Sequence, residues 1–398
     1  MRTTWEYHSS PRIVFGVGAL RQIGEIVASF QARHILLVTD PGLKKAGMVD
    51  RVLQFLDGYD VRVYDRVVPE PPVEAALDCY AFAQGGPAID LVIGLGGGSS
   101  LDMAKVASLL ITHGGHPLDY GGERKVPGPV APIISIPTTS GTGSEVTSVA
   151  VITDVGRNLK VGISDNHLRS SVALLDPELT LGLPPYVTAC TGIDALSHAI
   201  ESYTAMSYRY IRAEDTPLFQ GSMPIGDVLA YRAIELIAKN LPIAVHQGNN
   251  LEARSNMMLA SLLAGMAFSN VGTAAAHALA YPIGGLVKSP HGEVTGLLLP
   301  YVMELNASVE PDKMKCIAEA FGVNLAGLSQ EEAPLAASKA VLKLLETIGL
   351  PTRLSQIGIE EQHLPMIAGE GIKIERLFRN NPNQASVRDI EELLRKAL

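Results

Sequence analysis

Residues 89–105, IDLVIGLGGGSSLDMAK, decide how the rest of the chain is read. Ile89, Leu91, Val92 and Ile93 form an apolar run of strand length. Gly94, Gly96, Gly97 and Gly98 follow as a hinge, and a helix comes next. Ser99 or Ser100 is expected to cap that helix, with Asp102 in its first turn. Glycine lets backbone N–H groups close on a ligand without a Cβ in the way. A helix N-terminus adds unpaired donors and partial positive charge, so the junction suits a phosphate or pyrophosphate.

Outward from this stretch, strands alternate with helical runs. Pro11–Val17 is a short strand leading into GVGALRQIGEIVASF, a turn and an amphipathic helix. HILLVTD (34–40) is a buried strand ending in Asp40, with helical sequence over 44–56. VRVYDRV is a further strand, and a helix over 73–84 leads back to the glycine stretch. This alternation predicts a parallel sheet covered on both faces, with ligands at the carboxyl ends of its strands. Asp40 stands at such an end. Its carboxylate suits a ribose 2′-OH and would repel a 2′-phosphate, favouring NAD over NADP; equally, it suits a cap on the turn beginning Pro41-Gly42. The order is not that of an ordinary Rossmann unit, where the acid comes about 20 residues after the glycines. Here Asp40 precedes them, and Gly16-x-Gly18 lacks its third glycine, with Arg21 in that place.

Residues 130–154, VAPIISIPTTSGTGSEVTSVAVITD, carry a second strand-to-loop junction. Thr138, Thr139, Thr142 and Ser144 offer hydroxyl donors to a cofactor groove, or form a plain Ser/Thr/Gly turn. Lys160 lies in a hairpin, VITDVGRNLKVGI, within reach of a phosphate or ribose or simply at the surface. Past DPELTLGLPP the strands give way to long helical patterns. Pro184-Pro185 marks the expected boundary between an α/β domain, 1–184, and an all-helical domain, 185–398.

A chain of 398 residues suits two domains, and 47% hydrophobic against 18% charged residues argues against extensive disorder. Net charge is −9 with no basic run, which argues against nucleic acid as a partner. No apolar run is long enough for a bilayer, so no membrane partner is expected. Cys79, Cys190 and Cys316 are far apart and form no CxxC, which points to a reducing compartment. With no signal or transit segment at the N-terminus, the expectation is a cytoplasmic protein.

The helical half opens with TACTGIDALSHAIESY, where Asp194 and His198 share one helix face at i,i+4. His277 sits among small apolar residues in VGTAAAHALAYPIGG, and His291 stands at a helix start in KSPHGEV. Each alone reads as a core or chance residue. Together, one carboxylate and three imidazoles suit Fe²⁺ or Zn²⁺ as a Lewis acid on an alcohol oxygen. The remaining histidines lack such surroundings.

GGGSSLDMAK, PTTSGTGSEVT, the Asp194/His198 pair, and His277 with SPHGE together resemble the iron-containing (group III) alcohol dehydrogenases over nearly the whole chain. The resemblance implies an N-terminal dinucleotide-binding α/β domain and an all-α C-terminal domain, a dehydroquinate synthase-like arrangement with the active site in the cleft between them. It implies Asp194, His198, His277 and His291 as metal ligands, with Fe²⁺ most favoured and Zn²⁺ next. It implies Asp40 on the adenosine ribose; Gly97, Gly98 and Ser99 on the pyrophosphate; and Asp102 supporting the nicotinamide end. Thr138, Thr139, Thr142, Ser144 and Lys160 would line the NAD groove, with Glu70 and Thr180 as weaker carry-overs. The activity implied is NAD(H)-dependent interconversion of a primary alcohol and an aldehyde by direct hydride transfer, in a homodimer.

Two departures stand out. Some family members carry a histidine four residues after the third ligand, near the nicotinamide; Tyr281 stands there, and a tyrosine hydroxyl or bound water would replace it in proton relay. The segment 203–227, with Arg209 and Arg212, is longer than usual and resembles the hydroxyacid–oxoacid transhydrogenase branch. This leaves a transhydrogenase or 4-hydroxybutyrate dehydrogenase as the alternative. A metal-dependent lyase or synthase and a non-catalytic NAD-binding module are weaker alternatives.

Overall fold

The computed structural model describes residues 1–157, 159–212 and 217–398. Residues 213–216 of the long segment lie outside the described residues. The chain divides into two units: His8–Leu181, and Gly182–Leu398 together with Met1–Tyr7.

The first unit carries strands β1 (Arg12–Phe15), β2 (His34–Val38), β3 (Asp60–Tyr64), β4 (Leu91–Gly96), β5 (Gly122–Glu123), β6 (Ile133–Pro137), β7 (Val149–Asp154), β8 (Leu159–Ser164) and β9 (Val172–Leu175). Its helices are α1 (Ile23–Ser29), α2 (Pro41–Lys45), α3 (Met48–Leu53), α4 (Val73–Gln84) and α5 (Gly98–His113). The main sheet is parallel throughout, in the order β1-β9-β6-β4-β2-β3. Its central strands are apolar on both faces because helices cover both. Ile35, Leu37, Leu91, Ile93 and Ile134 pack with residues of α1 and α3, while Leu36, Val38 and Val92 pack with residues of α4 and α5. Burying each such side chain stabilises the fold by about 1.5–3 kcal/mol. From β2 the chain steps outward to β3, whereas β4 lies on the other side of β2 and leads to β6. The loops after β2 and β4 therefore diverge at a switch point, where ligands of such sheets sit. Asp40 and the glycine hinge are those two loops. β7 and β8 form the antiparallel hairpin that carries Lys160.

Three local expectations change. The cap of α5 is Gly97 with no side-chain hydrogen bond; Ser99 and Ser100 lie inside the first turn, and Asp102 lies beyond it. The helical stretch 44–56 breaks into α2 and α3, because Gly47 adopts φ 75° between them. After Gly18, the chain makes a 3₁₀ turn, Ala19–Gln22, before α1.

The second unit is helical: α6 (Pro185–Thr204), α7 (Pro224–His246), α8 (Leu251–Val271), α9 (Ala275–Leu286), α10 (His291–Asn306), α11 (Pro311–Ala320), α12 (Glu332–Thr347), α13 (Leu364–Ile372), α14 (Glu375–Phe378) and α15 (Val387–Ala397). α8 and α9 meet at a 97° bend. Gly272 makes it with φ 98°, a conformation L side chains rarely adopt. α10 seats on α6 through Gly292, where a Cβ would stand 2.1 Å from the Cys190 carbonyl oxygen. Among the described residues no single helix is long and apolar enough to cross a membrane.

Candidate active site

α6 places Asp194, His198 and Glu201 at i, i+4 and i+7, one face of the helix, and all three are buried. The bend at Gly272 turns α9 so that its first residues meet this face, bringing His277. His291 is the first residue of α10. Ligand atoms of Asp194, His277 and His291 all lie within 4.8 Å of one another. Atoms around a tetrahedral ion at about 2.1 Å stand roughly 3.4 Å apart, so a small contraction closes the group. His198 lies beside these three, stacked on His277 at 4.7 Å and on Phe268 at 4.1 Å between ring centroids.

Glu201 is the residue that sequence reading missed. One carboxylate oxygen accepts the Ala276 N–H at 2.6 Å, satisfying a donor at the start of α9 that no side-chain cap serves. The other meets His277 Nδ1 at 2.5 Å. A carboxylate at that distance calls for a proton on Nδ1, so in the neutral ring the lone pair stands on Nε2. His277 Nε2 is buried with no hydrogen-bond partner among the described residues, 3.9 Å from Asp194 Oδ1. A carboxylate behind a histidine is the usual support of a metal-binding imidazole. The signal was present in the sequence: Glu201 repeats the α6 face seven residues after Asp194.

The buried groups answer one another electrostatically. Burial works against the Asp194 charge, but His198, His291, His277 and a hydrogen bond from Thr295 Oγ1 (3.1 Å) outweigh it and hold the carboxyl below its ordinary range. At His277, burial disfavours the protonated ring; Glu201 and Asp194 favour it and win, against a smaller opposing effect of Arg376. This donor set of one anionic oxygen and imidazole nitrogens fits a divalent ion such as Fe²⁺ or Zn²⁺. Tyr281, one turn past His277 on α9, turns its ring edge-on to His291 at 6.3 Å and accepts a hydrogen bond from Arg376 at 3.1 Å.

In the other unit, Gly96 adopts φ 149°, and a Cβ there would stand 2.6 Å from Ser100 Oγ. Only glycine lets β4 turn so sharply into α5. Thr139 and Thr142 flank the hinge: a Cβ on Gly97 would meet Thr139 at 3.4 Å, and one on Gly98 would meet Thr142 at 2.7 Å. Asp40 Oδ1 accepts the Leu43 N–H, capping α2 at 3.0 Å. Ser99 Oγ accepts from the Glu70 N–H (3.2 Å), and the Glu70 carboxylate pairs with Lys160 at 2.5 Å, so these three form one group.

Asp102 and Ser144 are tied to one another. Ser144 Oγ donates to Asp102 at 2.6 Å, and the Val151 N–H donates to the other carboxylate oxygen at 3.0 Å. Beneath them lies Lys105, fully buried, donating to Ser144 Oγ (2.9 Å), Thr147 Oγ1 (3.0 Å) and the Val149 carbonyl (2.7 Å). Lys105 thus rivets α5 to the loop after β6. Thr138 is buried, and its N–H donates to the Gly96 carbonyl at 3.0 Å. Thr180 is fully buried and donates to the Pro177 carbonyl at 2.8 Å.

A parallel sheet with a glycine hinge at its switch point and a helical unit with a carboxylate–imidazole donor set define a metal-dependent nucleotide oxidoreductase. Comparison with known proteins bears this out. Residues 10–177 match the iron-containing alcohol dehydrogenase model, and residues 188–398 match the C-terminal model of the Fe-containing alcohol dehydrogenase family. The chain is 41% identical to long-chain-alcohol dehydrogenase 1 of Geobacillus thermodenitrificans (strain NG80-2), covering 96% of each. It is 35% identical to the NAD-dependent methanol dehydrogenase of Bacillus methanolicus, covering 98% of each. It superposes on the crystal structure of a 1,3-propanediol oxidoreductase with TM-score 0.93 and 36% identity, covering 100% of both. The chain belongs to the iron-containing alcohol dehydrogenase family. It is a metal-dependent NAD(H) oxidoreductase that interconverts alcohol and aldehyde.

Proposed function

We propose that the first 184 residues bind the cofactor and residues 185–398 bind the metal, with Met1–Tyr7 packing alongside the latter. Asp194, His277 and His291 hold the ion, with His198 beside them as the fourth ligand. The observation that carries this is the buried His277 Nε2, fixed from behind by Glu201 and left without a hydrogen-bond partner among the described residues. When bound, the metal supplies Lewis acidity to the substrate oxygen and NAD supplies the hydride acceptor. Asp194 contributes one negative charge, so the site stays net positive where oxygen charge develops. Tyr281, already accepting from Arg376, has its own O–H to donate and is assigned the substrate proton. Asp40 holds the adenosine ribose. Gly97, Gly98 and Ser99 hold the pyrophosphate at the start of α5. Asp102, Thr138, Thr139, Thr142, Ser144 and Lys160 shape the groove, with Glu70 anchoring Lys160 and Thr180 buttressing the last turn. The transhydrogenase alternative is not favoured: the chain is 41% identical to a long-chain-alcohol dehydrogenase and 35% identical to a methanol dehydrogenase.

The enzyme is further proposed to work in the cytoplasm, where its three free cysteines stay reduced. A homodimer is proposed from the resemblance and from two exposed apolar residues, Phe15 at the end of the edge strand β1 and Val17 just past it; sedimentation at equilibrium tests it.

The protein, loaded anaerobically with Fe²⁺ or with Zn²⁺, is mixed with NAD and a panel of primary alcohols. NADH formation with at least one alcohol, abolished by chelation, is the expected result. No turnover of any alcohol by protein that demonstrably binds both metal and NAD defeats the proposal.

A further inference from the structure

We propose that Arg376 is an anion-recognising group of the substrate site, so that the preferred alcohols and aldehydes carry a carboxylate or similar anion at their non-reacting end. This rests on the alcohol–aldehyde reading above and adds the tail of the substrate to it.

Unpaired arginines on an open surface are ordinary, because water solvates them. Arg376 differs in its surroundings. It is half-buried on α14, and among the described residues no carboxylate lies within ion-pair distance of it. Among the described residues its one hydrogen bond goes to a neutral atom, Tyr281 Oη, at 3.1 Å. A guanidinium has five N–H donors, so most of its capacity is unspent. The more deeply buried Arg254 shows the contrast: each of its three nitrogens donates, to the Gly248 carbonyl, Thr188 Oγ1 and the Leu183 carbonyl.

The position of Arg376 connects it with the chemistry. Tyr281 shares a helix face with His277 and stands edge-on to His291, whose ring lies 5.4 Å from that of His277. A run of contacts therefore leads from the metal donors through Tyr281 to the guanidinium. The acids of the donor set are already committed. Asp194 accepts from Thr295, and Glu201 divides its oxygens between Ala276 and His277. Nearby on α13, Glu370 is taken by Lys373 at 2.7 Å. A half-sheltered cation without a counter-ion carries a solvation cost that an incoming carboxylate relieves through two parallel N–H···O bonds. A substrate whose oxygen end enters the donor set, and whose tail runs past Tyr281, brings that carboxylate to Arg376. A neutral tail leaves the guanidinium to water.

The test pairs substrates of equal length. Metal-loaded protein is assayed with NAD and either 1-butanol or 4-hydroxybutyrate, and binding of butyrate to the metal-loaded, NAD-bound protein is followed by calorimetry. The parent should prefer the acid in kcat/KM. Arg376→Leu should lower the acid-to-alcohol ratio by about tenfold or more, mainly through KM, and weaken butyrate binding similarly. Arg376→Lys, which keeps the charge and loses the planar fork, should fall between. A purely structural role for Arg376 would depress both substrates together and leave the ratio where it was. An unchanged ratio in Arg376→Leu, or a parent that neither prefers the acid nor binds butyrate, overturns the inference. If no alcohol of the panel, these two included, reduces NAD, the alcohol–aldehyde reading has failed, and butyrate still decides: binding lost in Arg376→Leu upholds the anion site, and binding absent or unaltered removes it.

Discussion

Glu201 divides its two oxygens between a backbone N–H and an imidazole, and both partners belong to the start of α9. Removing it loosens the helix end and the histidine together. Glu201→Gln should weaken metal binding by roughly 10–100-fold, the usual effect of losing such a partner. Competition with a chromogenic chelator measures this without any assay of turnover; unchanged affinity would deny Glu201 the role. Asp40 also has two duties. One oxygen caps α2, and in the proposed reading the charge guards the ribose position against a 2′-phosphate. Asp40→Asn keeps a capping oxygen and removes the charge. Like charges held together cost several kcal/mol, so the NADP-to-NAD ratio of kcat/KM should rise at least about tenfold. A ratio that does not move would leave Asp40 with the cap alone.

At the scale of elements, β4, the hinge and α5 were legible because a strand, four glycines and a helix leave few other readings. The cap was misjudged for a tertiary reason: Ser99 Oγ serves the Glu70 N–H, and Ser100 is buried against the hinge. The pairing of Asp102 with Ser144 spans 42 residues, and no local pattern announces it. Lys105 was overlooked because a lysine on a helix ordinarily faces water; here two hydroxyls of the loop after β6 and the Val149 carbonyl at the start of β7 hold it in the interior. That loop also buries Glu145. Desolvation lifts its carboxyl to about 7, against the pull of its own backbone N–H and of Lys105. Between its ordinary 4.5 and about 7 the folded protein keeps a proton that the unfolded chain has released. Stability must therefore fall as pH rises through that window. Glu145→Gln should flatten the slope and exceed the parent by roughly 1–3 kcal/mol above it. Urea unfolding at pH 5 and at pH 8 shows whether it does; parallel pH dependence in the two proteins would exclude Glu145 as the source.

Across the whole molecule, the proposed reading has the two units draw on different ligands. Chelation should raise amide hydrogen exchange in α6, the start of α9 and the start of α10, leaving β4 and α5 nearly as protected as before. NAD should do the converse at the hinge. Uniform loosening of both units on chelation would contradict this assignment. The helical half was legible in part: Asp194 and His198 shared an evident face, while the approach of His277 and His291 depended on the bend at Gly272 and the close seat at Gly292, which are tertiary facts. The same arrangement bears on how the enzyme is made. The donor set draws on three helices, and Thr295 reaches Asp194 across 101 residues of chain. No early fragment emerging from the ribosome owns a metal site, and the unfolded polypeptide has little with which to chelate. Metal capture is thus a late event in biogenesis, performed by a chain that has already folded.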